Sequence, residues 1–377
     1  MPRSSQRGAC EMKKILAWMA AAAMMAAMLT GCGGSGGGNT TGGAGDSGDA
    51  GGNCLIGLSV RGLDNPYYVE LEASAKAFSE LHPGTEIVTM EHHGDEQKQV
   101  NDIKSFLARG GSDCILYVDP QSATINAEIA QLCEDAGVYW TSTWTMAEDV
   151  YPQDYQYYAA HQTVDNTAGA YETAKVMFES FPDQTGKVLL MEGALANDAS
   201  DERTAGWLQA LEEYPNVEVL DQQVCDWDPQ VGMDLAQTWI TRYGDEISGI
   251  CCPNDSIALA VIEGMKAKGK SPDDIKIIGF DGNQDAITSI KNGDILATTY
   301  ANAWCQGAYG ICTAYHAYTG ELDTLTCDQS MRAYYSNGIT VSSENIDEFI
   351  RDYVDSKPEL DYSQNFGGFV RAMEIPA

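Results

Sequence analysis

Positive charge is scarce in this chain. Its 22 lysines and arginines stand against 55 aspartates and glutamates, a formal net charge of -33 at pH 7. DNA, RNA and anionic lipid all demand a basic footprint, so no nucleic acid is expected as a partner. Catalytic signatures are missing too. There is no GxSxG, no HExxH and no GxGxxG after the first strand, which removes the common serine-hydrolase, zinc-hydrolase and dinucleotide readings. The five histidines do not gather near a nucleophile, and His92-His93 read as exposed residues at a strand end. Among the 11 cysteines there is no CxxC and no Cys/His ligand spacing, so neither a metal nor a cofactor is expected. Beyond residue 31 no apolar run approaches the length of a membrane span.

Two literal motifs fail on context. Gly264 to Ser271 matches GxxxxGK[ST], but a phosphate loop must follow a strand and open a helix. Here the glycines close a helix and Pro272 leads into a strand, which makes Gly269 a helix cap. Asp281-Gly-Asn283-Gln-Asp285 starts like a calcium loop, yet Ala286 replaces the turn glycine and Asn292 the closing glutamate.

What the chain does have begins at its N-terminus. Lys13-Lys14, an apolar run from Ile15 to Leu29, and Thr30-Gly31 before Cys32 resemble a bacterial lipoprotein signal. The resemblance implies cleavage before Cys32 and a lipid on that cysteine. Met12 begins the more ordinary signal, which leaves the first eleven residues superfluous. A plain N-terminal transmembrane anchor is the alternative, and the spacer weighs against it. Residues 33–53 are almost wholly Gly, Ser, Thr, Asn, Ala and Asp, a flexible tether with a reach of about 25 Å.

From Cys54 onward, short apolar runs alternate with amphipathic stretches, the pattern of an α/β fold with parallel strands. Strands are predicted at 55–60, 86–90, 114–118, 138–142, 187–191, 217–220, 247–252 and 275–280. The stretch 148–160, rich in Tyr, Asp and Pro, reads as a long surface loop. The length suits two doubly wound parallel-sheet lobes rather than one. Cys54 and Cys114, at the starts of neighbouring strands, are the candidate disulfide; buried free thiols are the reading for most of the others.

The candidate site residues share one location. Asn65, Tyr67, Tyr68, Asp119, Thr143, Trp144, Arg203, Trp227, Asn254, Asp281 and Asn302 follow the C-terminal ends of strands, or stand at the helix entries there, where open α/β sheets bind ligands. Aromatic faces stack on the C–H faces of a sugar ring, and Asn, Asp and Arg satisfy its hydroxyls. No nucleophile or proton transfer is needed. Bland roles compete: Asn254 as a helix cap, Asp281-Gly282 as a turn, Tyr67 and Tyr68 as core, Arg203 as a surface ion pair.

From Leu55 to about Val341 the chain resembles the type I periplasmic sugar-binding proteins, the ribose-binding kind. The residues that carry this are Asn65-Pro66-Tyr67-Tyr68, Gly186 through Trp207 with Glu202-Arg203, Pro253-Asn254-Asp255, and Ile278-Gly279-Phe280-Asp281-Gly282. The resemblance implies aromatic walls from Tyr67, Tyr68 and Trp227, with Asn65 and Asp119 bonding from one lobe. Arg203, Asn254, Asp281 and Asn302 would bond from the second lobe and the hinge. Thr143-Trp144 stands where ribose binders carry an acidic residue followed by arginine, so ribose itself is not the expected ligand. A different sugar, a polyol, a deoxy or furanosyl ligand, or a nucleoside fits better. The resemblance further implies a three-segment hinge, with residues 54–164 plus 303–333 in lobe 1 and 165–302 plus 334–377 in lobe 2. It implies a non-enzymatic, monomeric, lipid-anchored solute receptor that touches the membrane only through its lipid and hands a sugar or polyol to ABC permease subunits. The alternative is a receptor of the same fold that signals a sugar, furanosyl autoinducer or nucleoside to a membrane sensor. The tail after Ser342, with Ile346, Phe349, Ile350 and Tyr353 at helical spacing, has no assigned role.

Overall fold

The computed structural model describes residues 53–375; the expected signal, the tether and Cys32 lie outside the described residues. In chain order the strands are β1 (Cys54–Val60), β2 (Thr85–Glu91), β3 (Cys114–Val118), β4 (Trp140–Thr143), β5 (Tyr158–Val164), β6 (Gly186–Glu192), β7 (Val217–Val224), β8 (Gly249–Cys251), β9 (Lys276–Ile278), β10 (Ala297–Tyr300), β11 (Ala333–Ser336), β12 (Ile339–Ser342) and β13 (Phe369–Ala372). The helices are α1 (Pro66–Leu81), α2 (Glu96–Gly110), α3 (Asn126–Ala136), α4 (Asn166–Glu179), α5 (Asp198–Glu213), α6 (Pro229–Tyr243), α7 (Asp255–Ala267), α8 (Gln284–Asn292), α9 (Ala303–Thr319) and α10 (Ile346–Phe349).

They build two sheets. The first has seven strands in the order β13-β11-β5-β4-β3-β1-β2, and the second six in the order β12-β10-β9-β8-β6-β7. All neighbours are parallel except β13 on β11 and β12 on β10, which run antiparallel at the sheet edges. This is the doubly wound, two-lobed parallel-sheet architecture that the alternating pattern predicts, and it is the fold that the resemblance to type I periplasmic sugar-binding proteins implies. Helix α1 shows how the sequence makes it. Asn65 caps its N-terminus and Pro66 occupies its first turn, while Leu71, Ala75 and Phe78 bury one stripe. It stops at His82, whose ring stacks on Phe78 with centroids 3.9 Å apart. At the other end of the chain, α7 ends at Ala267 and Gly269 takes φ +74° just beyond it, so the GxxxxGK[ST] match closes a helix.

Several expectations need correction. The predicted loop 148–160 ends in β5, whose seven residues are all buried. Its polar sequence hides it: His161 Nδ1 is 2.7 Å from Ser142 Oγ, and Gln162 donates to the Gln306 carbonyl, so long-range partners satisfy what local pattern reads as exposed. His92 is likewise internal, 1 % exposed, with burial pushing its imidazole down to about 3. Cys54 and Cys114 are free thiols, as are the other seven described cysteines. They sit on adjacent strands, with Leu55 and not Cys54 in register with Cys114.

The tail also departs from its assignment to the second lobe. After β11 in the first sheet the chain crosses to β12 in the second, and Ile346 and Phe349 enter the second lobe's core. Then it returns. Lys357 pairs with Glu70 at 3.1 Å, Cys312 Sγ donates to the Tyr362 carbonyl at 3.1 Å, and β13 closes the edge of the first sheet. Residues 333–336 and 357–372 therefore belong with the first lobe. Only a short helix, Ile346–Phe349, forms in the stretch with helical spacing, and a wider turn over Ile350–Val354 follows it.

Candidate functional site

The C-terminal ends of the two sheets face each other across one cavity of about 720 Å³, its open mouth included. Asn65, Tyr67, Tyr68, Asp119 and Trp144 line it from the first lobe, and Arg203, Trp227, Asn254 and Asp281 from the second. Thr143 and Asn302 are not among its lining residues. Thr143 is fully buried in β4, one residue before Trp144. Asn302, at φ +55°, turns its Oδ1 to accept from Cys305 N at 3.3 Å and Tyr300 Oη at 3.1 Å, which makes it the cap of α9.

Arg203 is the centre of the second lobe's wall. It is 2 % exposed, not a surface ion pair. Nε donates to Asn166 Oδ1 at 3.0 Å and Nη1 to the Pro253 carbonyl at 2.7 Å, which fixes the guanidinium plane. The group lies 3.7 Å from the Phe280 ring centroid and 4.8 Å from that of Trp144. A cation among desolvated aromatic faces is favourable by about 1–2 kcal/mol per contact. Burial lowers its pKa, against the nearby carboxylates. Its Nη1 is 3.8 Å from Asp281 Oδ1.

Two buried acids of the cavity wall, Asp119 and Asp281, are pushed up. Burial raises Asp119 to about 7, against the Tyr68 hydroxyl, which donates to its Oδ2, and the charges of Arg61 and Arg203. Burial raises Asp281 to about 6, opposed by Arg203 and by hydrogen bonding from Asn65. Asp281 adopts φ +107°, rare for a residue with a side chain. Asp255 holds that turn in place: its Oδ2 accepts from Gly282 N at 2.7 Å and Asn283 N at 2.8 Å, and its Oδ1 from Thr298 Oγ1 at 2.7 Å. A Cβ at Gly279 would stand 2.2 Å from Asp255 Oδ1, so only glycine lets the carboxylate in. Trp227 is seated the same way, since a Cβ at Gly193 would meet its indole at 2.2 Å.

Lobe meets lobe directly around the cavity. Arg61 Nη2 donates to the Asp226 carbonyl at 2.6 Å and Met146 N to Asp198 Oδ2 at 2.8 Å. Asn197 Nδ2 donates to the Gln121 carbonyl at 3.1 Å, and Ala123 N to the Ala196 carbonyl at 3.1 Å. The lobes are closed on each other. Arg61, Gln121 and Asn197 also line the cavity, and the sequence reading missed all three. Their signal was available, because Arg61 directly follows β1 and Gln121 stands two residues after Asp119.

A family model for the periplasmic binding protein domain matches residues 56–322. The chain belongs to that family. Periplasmic binding proteins capture ligands outside the cytoplasm and do not transform them. A ribose import binding protein of Haemophilus influenzae is 27% identical over 276 residues, covering 73% of this chain and 89% of that protein. A solved twin-arginine translocation pathway signal protein from Burkholderia phytofirmans superposes with a TM-score of 0.82 at 28% identity, covering 86% of this chain and 100% of the other. An ABC transporter solute-binding protein from Bacillus halodurans, with bound myo-inositol, superposes with a TM-score of 0.68 at 25% identity, covering 80% and 99%. Among the described residues no group of three or more His, Cys, Asp or Glu side chains stands together as metal ligands, and no helix is long and apolar enough to cross a membrane.

Proposed function

We propose that this protein is a lipid-anchored extracytoplasmic receptor that captures a sugar or a related polyol between its lobes and delivers it to an ABC permease. One observation carries the reading: a single cavity combines stacking faces (Tyr67, Trp144, Trp227) with fixed acceptors and donors (Asp119, Asp281, Arg203, Asn254) drawn from both lobes. Aromatic faces suit the C–H surface of a ring, and paired carboxylates suit its hydroxyls. Contacts from two lobes favour the closed form only when a ligand bridges them, which is how binding drives the hinge. The closed form then offers the permease a surface that the open form lacks. The relatives that import ribose and hold myo-inositol support a single hydroxylated ring as the ligand class. Cys32 is the residue assigned to the lipid, and the glycine-rich segment after it would let the body move above the bilayer.

Thermal-shift screening of pentoses, hexoses, inositols and nucleosides tests the capture, because a ligand specific to the folded state raises apparent stability by mass action. A shift for at least one hydroxylated ring, lost in Asp281→Ala, is expected. Shifts that persist unchanged in Asp281→Ala and Trp227→Ala would place the site elsewhere. Cys32→Ser is expected to release the protein from membranes into the soluble fraction; retention on the membrane would refute the lipid anchor.

A further inference from the structure

Behind the ligand cavity lies a second one. It encloses about 800 Å³ with its opening and is bounded by both lobes and the tail: Met146, His161 and Thr163 from the first lobe, Glu202 from the second, Arg371 and Met373 from β13 and beyond. Trp144 lines both cavities. Its side chain is 5 % exposed, with its ring centroid 5.2 Å from that of Tyr67 and 6.4 Å from that of Phe280. The Arg203 guanidinium lies over the same ring at 4.8 Å. The backbone holds it there at φ +63°, a conformation that a bulky residue adopts only under constraint from its surroundings. On the rear side the walls are polar. The Thr163 hydroxyl is 2 % exposed and its Oγ1 has no hydrogen-bond partner, while His161, anchored through Nδ1 to Ser142, is buried beside it.

We propose that Trp144 sets the length of the ligand: it closes the back of the binding cavity so that one ring fits, and the chamber behind it is a polar subsite that a second ring would reach if the indole were absent. The inference rests on the reading of the front cavity as the site of a hydroxylated ring. Three facts support it. Trp144 lines both spaces, the rear chamber is walled by charged groups such as Glu202 and Arg371 rather than by an apolar filling, and the backbone at Trp144 holds a positive φ that a bulky residue on a free surface would not need.

The test uses the whole protein and named probes. Single rings are D-ribose, D-glucose, D-galactose and myo-inositol; two-ring probes are cellobiose, lactose, maltose and sucrose. Calorimetric affinities are measured for wild type, Trp144→Gly, Trp144→Phe, Met373→Trp and the double variant Trp144→Gly with Met373→Trp. Glycine takes φ +63° without strain, and Trp144→Phe keeps a ring in the wall should the glycine variant not fold. Wild type and Trp144→Phe are expected to bind no two-ring probe. Trp144→Gly is expected to bind at least one, tenfold or more tighter than wild type, with single-ring affinity reduced at least tenfold by loss of the stacking face. Met373→Trp fills the rear chamber from the tail, so alone it leaves single-ring binding unchanged, and in the double variant it removes the gained affinity. A Trp144→Gly protein that folds and gains no two-ring probe overturns the proposal, as does a wild type that already binds one. If Trp144→Gly does not fold, two-ring binding by Trp144→Phe overturns it, and single-ring binding altered by Met373→Trp alone does so too. Wild type that binds no single ring defeats the proposed capture instead, and the two-ring gain in Trp144→Gly still decides the partition.

Discussion

Replacing Arg203 with methionine probes a buried and tightly held charge. The substitution keeps an unbranched chain between Phe280 and Trp144 but removes the guanidinium, leaving Asn166 Oδ1 and the Pro253 carbonyl without their donor. It also strips Asp281 of the cation 3.8 Å away. Breaking a buried ion pair by removing one partner costs about 3–5 kcal/mol, because the other charge stays behind uncompensated. Asp281 has an escape, since it can take up a proton. In wild type its carboxyl already sits at about 6, above the ordinary 3.8, because burial outweighs Arg203. Without Arg203 it moves higher still. The sign of the pH effect follows. A carboxyl whose folded pKa exceeds its unfolded one holds a proton that the unfolded chain has lost, so this group's contribution to stability falls as pH rises. In wild type that fall ends near pH 6, whereas in Arg203→Met it continues toward the variant's own higher pKa. The gap between the two proteins therefore opens above pH 6 by about 1.4 kcal/mol per pH unit. Urea denaturation of ligand-free protein is expected to show a loss of about 1–2 kcal/mol at pH 5, from stacking and hydrogen bonds, and about 3–5 kcal/mol at pH 8. A loss that is the same at both values, or larger at pH 5, would refute the account of Asp281 and Arg203 as a buried pair.

Asp198→Ala removes the acceptor for Met146 N across the cleft without touching a residue that lines the ligand cavity. The closed form loses a charge-assisted bond of about 1.5–3 kcal/mol, so the affinity for any captured ring should fall roughly tenfold or more while small-angle scattering records a more open ligand-free protein; unchanged scattering and affinity would show that the bond does not bias the hinge. Phe349→Ala empties a site in the second lobe's core whose ring lies 4.9 Å from Tyr300, and a loss of about 3–5 kcal/mol is expected in chemical denaturation. A loss under about 1 kcal/mol would mean that the tail only rests on that lobe.

How much of this was legible beforehand depends on how local each cause is. The residues that end up on the cavity wall could be named because they follow strand ends, and both the strand pattern and the strand-end rule are read over a few neighbouring positions. Thr143 and Trp144 show where that stops. Both follow the same strand and are adjacent, yet one is sealed in the sheet and the other forms a wall, because Trp144 takes a left-handed backbone conformation that no local pattern announces. Asn302 fails for a similar reason, since its Oδ1 accepts from Cys305 N and Tyr300 Oη, near in sequence but oriented by a positive φ. In β5 the obstacle is distance. His161 and Gln162 look exposed until Ser142 and the Gln306 carbonyl are brought beside them.

By itself, then, the sequence determined the alternation of strands and helices, the acidic composition, and the membership of most cavity residues, since these follow from periodicity, residue counts and position after strands. Only the tertiary structure decided that Arg203 is held between Phe280 and Trp144, that Trp144 lines two chambers, and that the tail crosses back to the first lobe. Those facts rest on contacts between segments far apart in the chain. Burial and electrostatics act through space, and the order of residues does not state which of them will meet.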